Sequence, residues 1–137
     1  MKSRSESLIR LKKFQVDEKR RQVAQIEAMV ADFERMASEL DQQIEIEQQK
    51  TGISDVAHFA YSTFAKAALA RRDNLLASAN DMKETLESAQ DALAEAVEEL
   101  KKVELLDQRE HGREAAAEAK TEQEGYDEIA RLRHMRS

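Results

Sequence analysis

The sequence predicts an all-α protein, a long antiparallel two-helix coiled-coil hairpin. Three observations predict it: two heptad seams, one turn-forming stretch between them, and a near absence of helix-breaking residues. The first seam is Val16, Lys19, Val23, Ile26, Val30, Phe33, Ala37, Leu40 and Ile44, and only Lys19 in it is polar. The second is Leu75, Ala79, Met82, Leu86, Ala89, Leu93, Ala96, Leu100 and Val103, apolar throughout. Steps alternating between three and four lay one apolar stripe along a helix, and two such stripes interlock as knobs into holes. The 137 residues include no Pro and three Gly, so little interrupts a helix.

Taken in order, the first arm is expected over about residues 8–50, as part of a single domain covering 1–137. Leu8, Ile9, Leu11 and Phe14 are apolar but lie off a clean seam. Glu6 with Arg10 and Asp17 with Arg21 are spaced for i,i+4 pairs on the outer face. The turn is expected at 51–55, where Gly52 can take the left-handed conformation and Ser54 or Asp55 can cap the next helix. The return arm is expected over about 56–125. Its first part, Val56 to Leu69, has a looser helical spacing and three of the six aromatics, Phe59, Tyr61 and Phe64. This reads either as a cap over the turn or as an exposed contact surface, with the option of a short extra helix.

The small residues Ala79, Ala89 and Ala96 allow close approach along the second seam. Asp107 is expected to break its phase. Arg113 to Lys120 is a strong helix former without an apolar face beyond alanine, and 126–137 form the tail. The return arm is longer than the first, so either the tail overhangs or part of 56–69 is a separate helix.

Charged residues make up 36% of the chain and aromatics 4%, which suits solvated outer faces rather than a compact core. Disorder of the whole chain is opposed by two matched seams, although fraying of both ends is expected. Cysteine is absent, so disulfides and thiolate metal sites are excluded. No apolar run approaches the roughly 20 residues that span a bilayer, and the opening residues lack a secretory apolar segment, so a cytosolic protein is expected.

The net charge of −6 conceals a pattern. Eight basic residues fall in the first 21: Lys2, Arg4, Arg10, Lys12, Lys13, Lys19, Arg20 and Arg21. Arg131, Arg133 and Arg136 close the chain, and Glu84, Glu87, Asp91, Glu95, Glu98 and Glu99 make the middle of the second arm acidic. An antiparallel hairpin is expected to bring both basic stretches to one end. There they either steer the chain to an acidic partner or serve solubility.

Catalytic chemistry is not indicated. No glycine-rich phosphate loop is present, and His58, His111 and His134 stand far apart without ligand spacing. Carboxylates on a two-helix surface face water, where burial cannot tune them. No enzyme activity, cofactor or metal is expected. Lys12-Lys13, Lys19-Arg20-Arg21 and Arg71-Arg72 are basic clusters, but the overall acidity opposes nucleic-acid binding, and narrow seams oppose membrane insertion.

The tail reads Tyr126-Asp127-Glu128-Ile129-Ala130, then Arg131, Arg133 and Met135-Arg136. This segment resembles the end of the FliJ family of flagellar export proteins, in which an apolar-Asp-Glu-apolar-Ala segment with trailing arginines closes a chain of about this size. The basic first helix, central turn, aromatic-bearing start of the second helix and charged return resemble the family as well. The resemblance implies a stalk-like coiled coil of flagellar type III secretion, cytoplasmic and peripherally associated with the membrane through the export apparatus. It implies the export ATPase, the export-gate membrane protein and export chaperones as partners. By position, Arg10, Lys13, Arg20, Arg131 and Arg133 would face the ATPase, while Phe64 and Ala68 would contact the gate, with Arg71 and Leu75 next at helical spacing. The sequence departs from the family at Arg71, where the family has a small residue, and at Gln43 and Glu47, where the family can place tyrosines.

Three alternatives stand beside this reading: the equivalent stalk of a virulence secretion system, a nucleic-acid or chaperone-like binder, and a parallel coiled-coil dimer with Thr51–Asp55 as a stutter. The hairpin reading predicts a monomer. Light scattering combined with small-angle scattering checks it: the mass of one chain at hairpin length is expected, and an obligate dimer of twice that length contradicts it.

Overall fold

The computed structural model describes residues 4–136. The opening Met1-Lys2-Ser3, with Lys2 of the basic set, and the final Ser137 lie outside the described residues. Two helices account for nearly all of the rest: α1, Arg4–Thr51, and α2, Thr63–Arg136. The architecture is an all-α helical hairpin, as the paired seams predict. The two helices pair with each other within the chain, with a turn and not a stutter after Thr51.

The connection is longer than expected, and its chemistry explains why. Gly52 closes α1 at φ +73°, with its N–H donated to Gln48 O at 2.9 Å. Past it, side chains capture the backbone donors that a helix would need. Asp55 Oδ1 accepts from Ala57 N at 2.9 Å, and His58 Nδ1 accepts from Ala60 N at 3.0 Å. Such local bonds compete with helix formation, so 56–60 fold as turns and bends and the return arm starts only at Thr63. The cap is Ser62, not Ser54 or Asp55: its Oγ accepts from Ala65 N at 3.2 Å.

The chain divides into two compact units, Asp17–Glu95 and Met1–Val16 with Ala96–Ser137. In the first, Val23, Val30, Ala37 and Ile44 form a buried column on α1 with a spacing of seven. Tyr61, Ala65, Ala68 and Ala79 are buried on the other side. Ile26, Phe33 and Leu40 on α1, with Leu75, Met82, Leu86 and Leu93 on α2, flank this column half-buried. The ion pairs Asp41–Arg72 at 2.8 Å and Glu34–Lys83 at 3.8 Å fix the antiparallel sense.

In the second unit Val16 and Ala96 are buried. Ile9, Lys12, Leu100, Val103 and Asp107 continue the two stripes half-buried, and Lys12 Nζ meets Glu99 at 3.0 Å. Two expectations are corrected here. Ile9 lies on the seam, seven residues before Val16, while Leu8, Leu11 and Phe14 are exposed. Asp107 keeps the phase, four residues after Val103, and breaks only the polarity. From Gln108 to Arg136 every residue of α2 is exposed.

The local ion pairs also differ from the expected spacing. Asp17 pairs with Arg20 at 3.9 Å and Glu18 with Arg21, both at i,i+3. In the tail Arg131 pairs with Glu128 at 2.6 Å, and Asp127 accepts from Gln123 Nε2 at 3.0 Å.

Truncating the buried column removes packing that the paired helix cannot refill. Ile44→Ala is expected to lower stability by about 2–4 kcal/mol in chemical denaturation followed by circular dichroism. Phe59→Ala, at a side chain 97% exposed, is expected to stay within about 0.5 kcal/mol of the parent.

Candidate interaction surfaces

The first surface lies in the Asp17–Glu95 unit, where the turn is fastened to α1. Glu47 Oε1 accepts from Ser62 Oγ at 3.0 Å, and Gln48 Nε2 donates to the Tyr61 hydroxyl at 2.9 Å. Tyr61 is buried. The loop is thereby held while its apolar tip stays in water: Val56 is exposed, and Phe59 stacks on His58 with ring centroids 4.7 Å apart.

Phe64 opens α2 with its ring 54% exposed. Ala68, four residues later, is only 6% exposed because it sits in the seam. Of the two residues assigned by family position, Ala68 lies in the seam, where it lets the helices approach, and Phe64 presents the larger surface. Beyond it, Arg71 and Leu75 border a shallow groove with Met36, Leu40, Glu39 and Gln43 of α1.

Arg72 was not among the residues that sequence reasoning singled out as functional. It occupies a seam position, four residues after Ala68 and three before Leu75. Its guanidinium bonds Asp41 at 2.8 Å and Asp73 at 2.9 Å, and these hydrogen bonds raise its pKa above the ordinary arginine value. The 3-4 spacing held that signal, but the positive charge disguised it.

The second surface lies in the other unit. Arg4, Ser5 and Leu8 of α1 share a groove with Val103, Leu106, Asp107 and Glu110 of α2. Arg10 and Lys13 are exposed and make no ion pair among the described residues. Arg131 and Arg133 lie about twenty residues past Glu110, roughly 30 Å further along the helix. The tail therefore overhangs α1, and the unit does not gather Arg10 and Lys13 with Arg131 and Arg133. Arg20 belongs to the other unit and pairs with Asp17. The tail carries exposed apolar side chains on a helix that packs on no other helix among the described residues: Tyr126 68%, Ile129 49%, Leu132 51% and Met135 75%.

The profile of a known family, described as Flagellar FliJ protein, matches residues 1–137, the whole chain. The chain belongs to the FliJ family. No curated protein and no solved structure matches it. Membership makes this FliJ-family chain a protein associated with the flagellar export apparatus. Among the described residues no helix is long and apolar enough to cross a membrane, and no group of three or more His, Cys, Asp or Glu is placed to hold a metal ion.

For a FliJ-family chain the interest lies in what the two surfaces leave unpaired, and the turn offers a direct check. Ser62→Ala removes both the cap acceptor and the hydroxyl donated to Glu47. It is expected to cost about 1–2 kcal/mol and to raise amide exchange at Ala65, read by NMR.

Proposed function

We propose that the chain is a non-enzymatic adaptor stalk that links the flagellar export ATPase ring to the export-gate membrane protein and binds export chaperones. The observation that carries this reading is the overhanging tail. An isolated helix of this kind is marginal in water, and four exposed apolar side chains beside three arginines make it a segment that a partner completes. The tail enters the ATPase ring, where Arg131 and Arg133 meet acidic groups. Arg10, Lys13 and Arg20 add positive charge for association. Phe64, with Ala68 as its packing support, faces the gate protein. The chain works at the cytoplasmic side of the membrane, held there through the export apparatus and not by insertion, and it acts as a monomer.

Membership of a flagellar family supports this over the equivalent stalk of a virulence system. A chain whose carboxylates lie on solvated helix faces has no enclosed, preorganised site, which supports a role by contact.

Binding to purified export ATPase, measured by calorimetry, tests the reading. Arg131→Glu with Arg133→Glu is expected to weaken binding by roughly tenfold or more, and Arg10→Glu with Lys13→Glu by a smaller factor. Wild-type binding that neither pair of reversals alters contradicts the reading.

A further inference from the structure

The loop between the helices is tied by an acceptor that a proton can remove. His58 Nδ1 accepts from Ala60 N at 3.0 Å, two residues on. The donor is a backbone N–H, so Nδ1 must present a lone pair and the ring must be neutral, with its proton on Nε2. An imidazolium donates from both nitrogens and accepts at neither, so this bond and a protonated ring exclude each other. The other side chains that tie the loop are of different kinds. Asp55 Oδ1 accepts from Ala57 N at 2.9 Å, Ser62 Oγ accepts from Ala65 N at 3.2 Å, and Gln48 Nε2 donates to the Tyr61 hydroxyl at 2.9 Å. Imidazole is the side chain that ordinarily changes charge near neutral pH.

The same ring has a second task. Phe59 stacks on it with centroids 4.7 Å apart and planes 21° apart, and Phe59 stands almost wholly in water. His58 is itself exposed, so protons reach it from solvent. The charged groups of the adjoining elements are Asp55 in the loop, Glu47 and Lys50 on α1, and Lys66 on α2. Asp55 is engaged by Ala57 N and Glu47 by Ser62 Oγ, and none of the four makes an ion pair with the imidazole among the described residues. No carboxylate therefore waits to hold the ring in place once it is charged.

We propose that His58 is a proton-operated latch on the apolar tip of the loop. With the ring neutral, its bond to Ala60 N fixes the backbone and holds Phe59 and Val56 in one presentation. Protonation breaks that bond, releases 56–60 and sets a positive charge against the Phe59 ring. The latch is closed above the ordinary histidine range and opens as the pH falls through it. The tip is then fixed and apolar in one state, loose and cationic in the other. The latch is a property of the loop itself and needs none of the partners named above.

Amide exchange of the full chain, read by NMR at about pH 8 and about pH 5, tests the latch, with each rate divided by that of an unstructured peptide at the same pH. In the parent, protection of the Ala60 amide is expected to fall by roughly fivefold between the two, the loss of one hydrogen bond, while Ala65, held by the Ser62 hydroxyl, keeps its protection. His58→Asn places a side-chain oxygen that does not titrate where Nδ1 accepts, so Ala60 is expected to be equally protected at both. His58→Ala removes the acceptor and is expected to leave Ala60 poorly protected at both. Equal protection of Ala60 at the two pH values in the parent, or a fall of the same size in His58→Asn, overturns the latch.

Discussion

The rest of the molecule depends on one packing arrangement, a column of β-branched and small residues on α1 set against alanines on α2. Val23, Val30, Ala37 and Ile44 face a side built from Ala65, Ala68 and Ala79. Stiff β-branched side chains lose little freedom on ordering, and alanine lets the helix axes approach. The larger Leu, Phe and Met side chains are pushed to the margins of the seam, where they are only half covered. Among the described residues no large side chain is completely buried.

That arrangement leaves most of the described side chains on the surface. The seam has two limits: in one unit the turn fastened by Glu47 and Gln48, in the other the polar position Asp107, after which α2 continues without a partner among the described residues. Exposed apolar side chains lie at Phe59 and Phe64 and from Tyr126 to Met135, and also on the outer faces of the paired stretch, as at Phe14, Met29 and Ile46. In the proposed function, partner proteins are the means by which such residues become buried.

The seams were legible because burial on α1 repeats every seven residues, and five positions in one phase, Val16, Val23, Val30, Ala37 and Ile44, outvote local noise. Where the seam carries a charge the reading weakened: Asp107 is in phase yet was taken for a break, and Lys12 and Arg72, also in phase, were read only as members of basic clusters. The connection was illegible for a different reason. Val56 to Leu69 has helical spacing, and what prevents a helix before Thr63 is a set of side-chain bonds to backbone N–H groups from Asp55 and His58. Such bonds depend on conformation and not on periodicity. The unequal arm lengths already allowed an overhanging tail. Ala68 was placed as a contact by family position, and its burial places it in the seam as well.

The central claim is that the seam pairs α1 with α2 inside one chain and leaves the tail for a partner. Amide hydrogen exchange, read residue by residue with and without the export ATPase, tests it most directly. The account predicts slow exchange along the Val23–Ile44 and Ala65–Leu93 stretches of the free chain, fast exchange over 113–136, and strong protection of 113–136 once the ATPase is added. A tail already protected in the free chain, or one that stays unprotected in the complex, would contradict it.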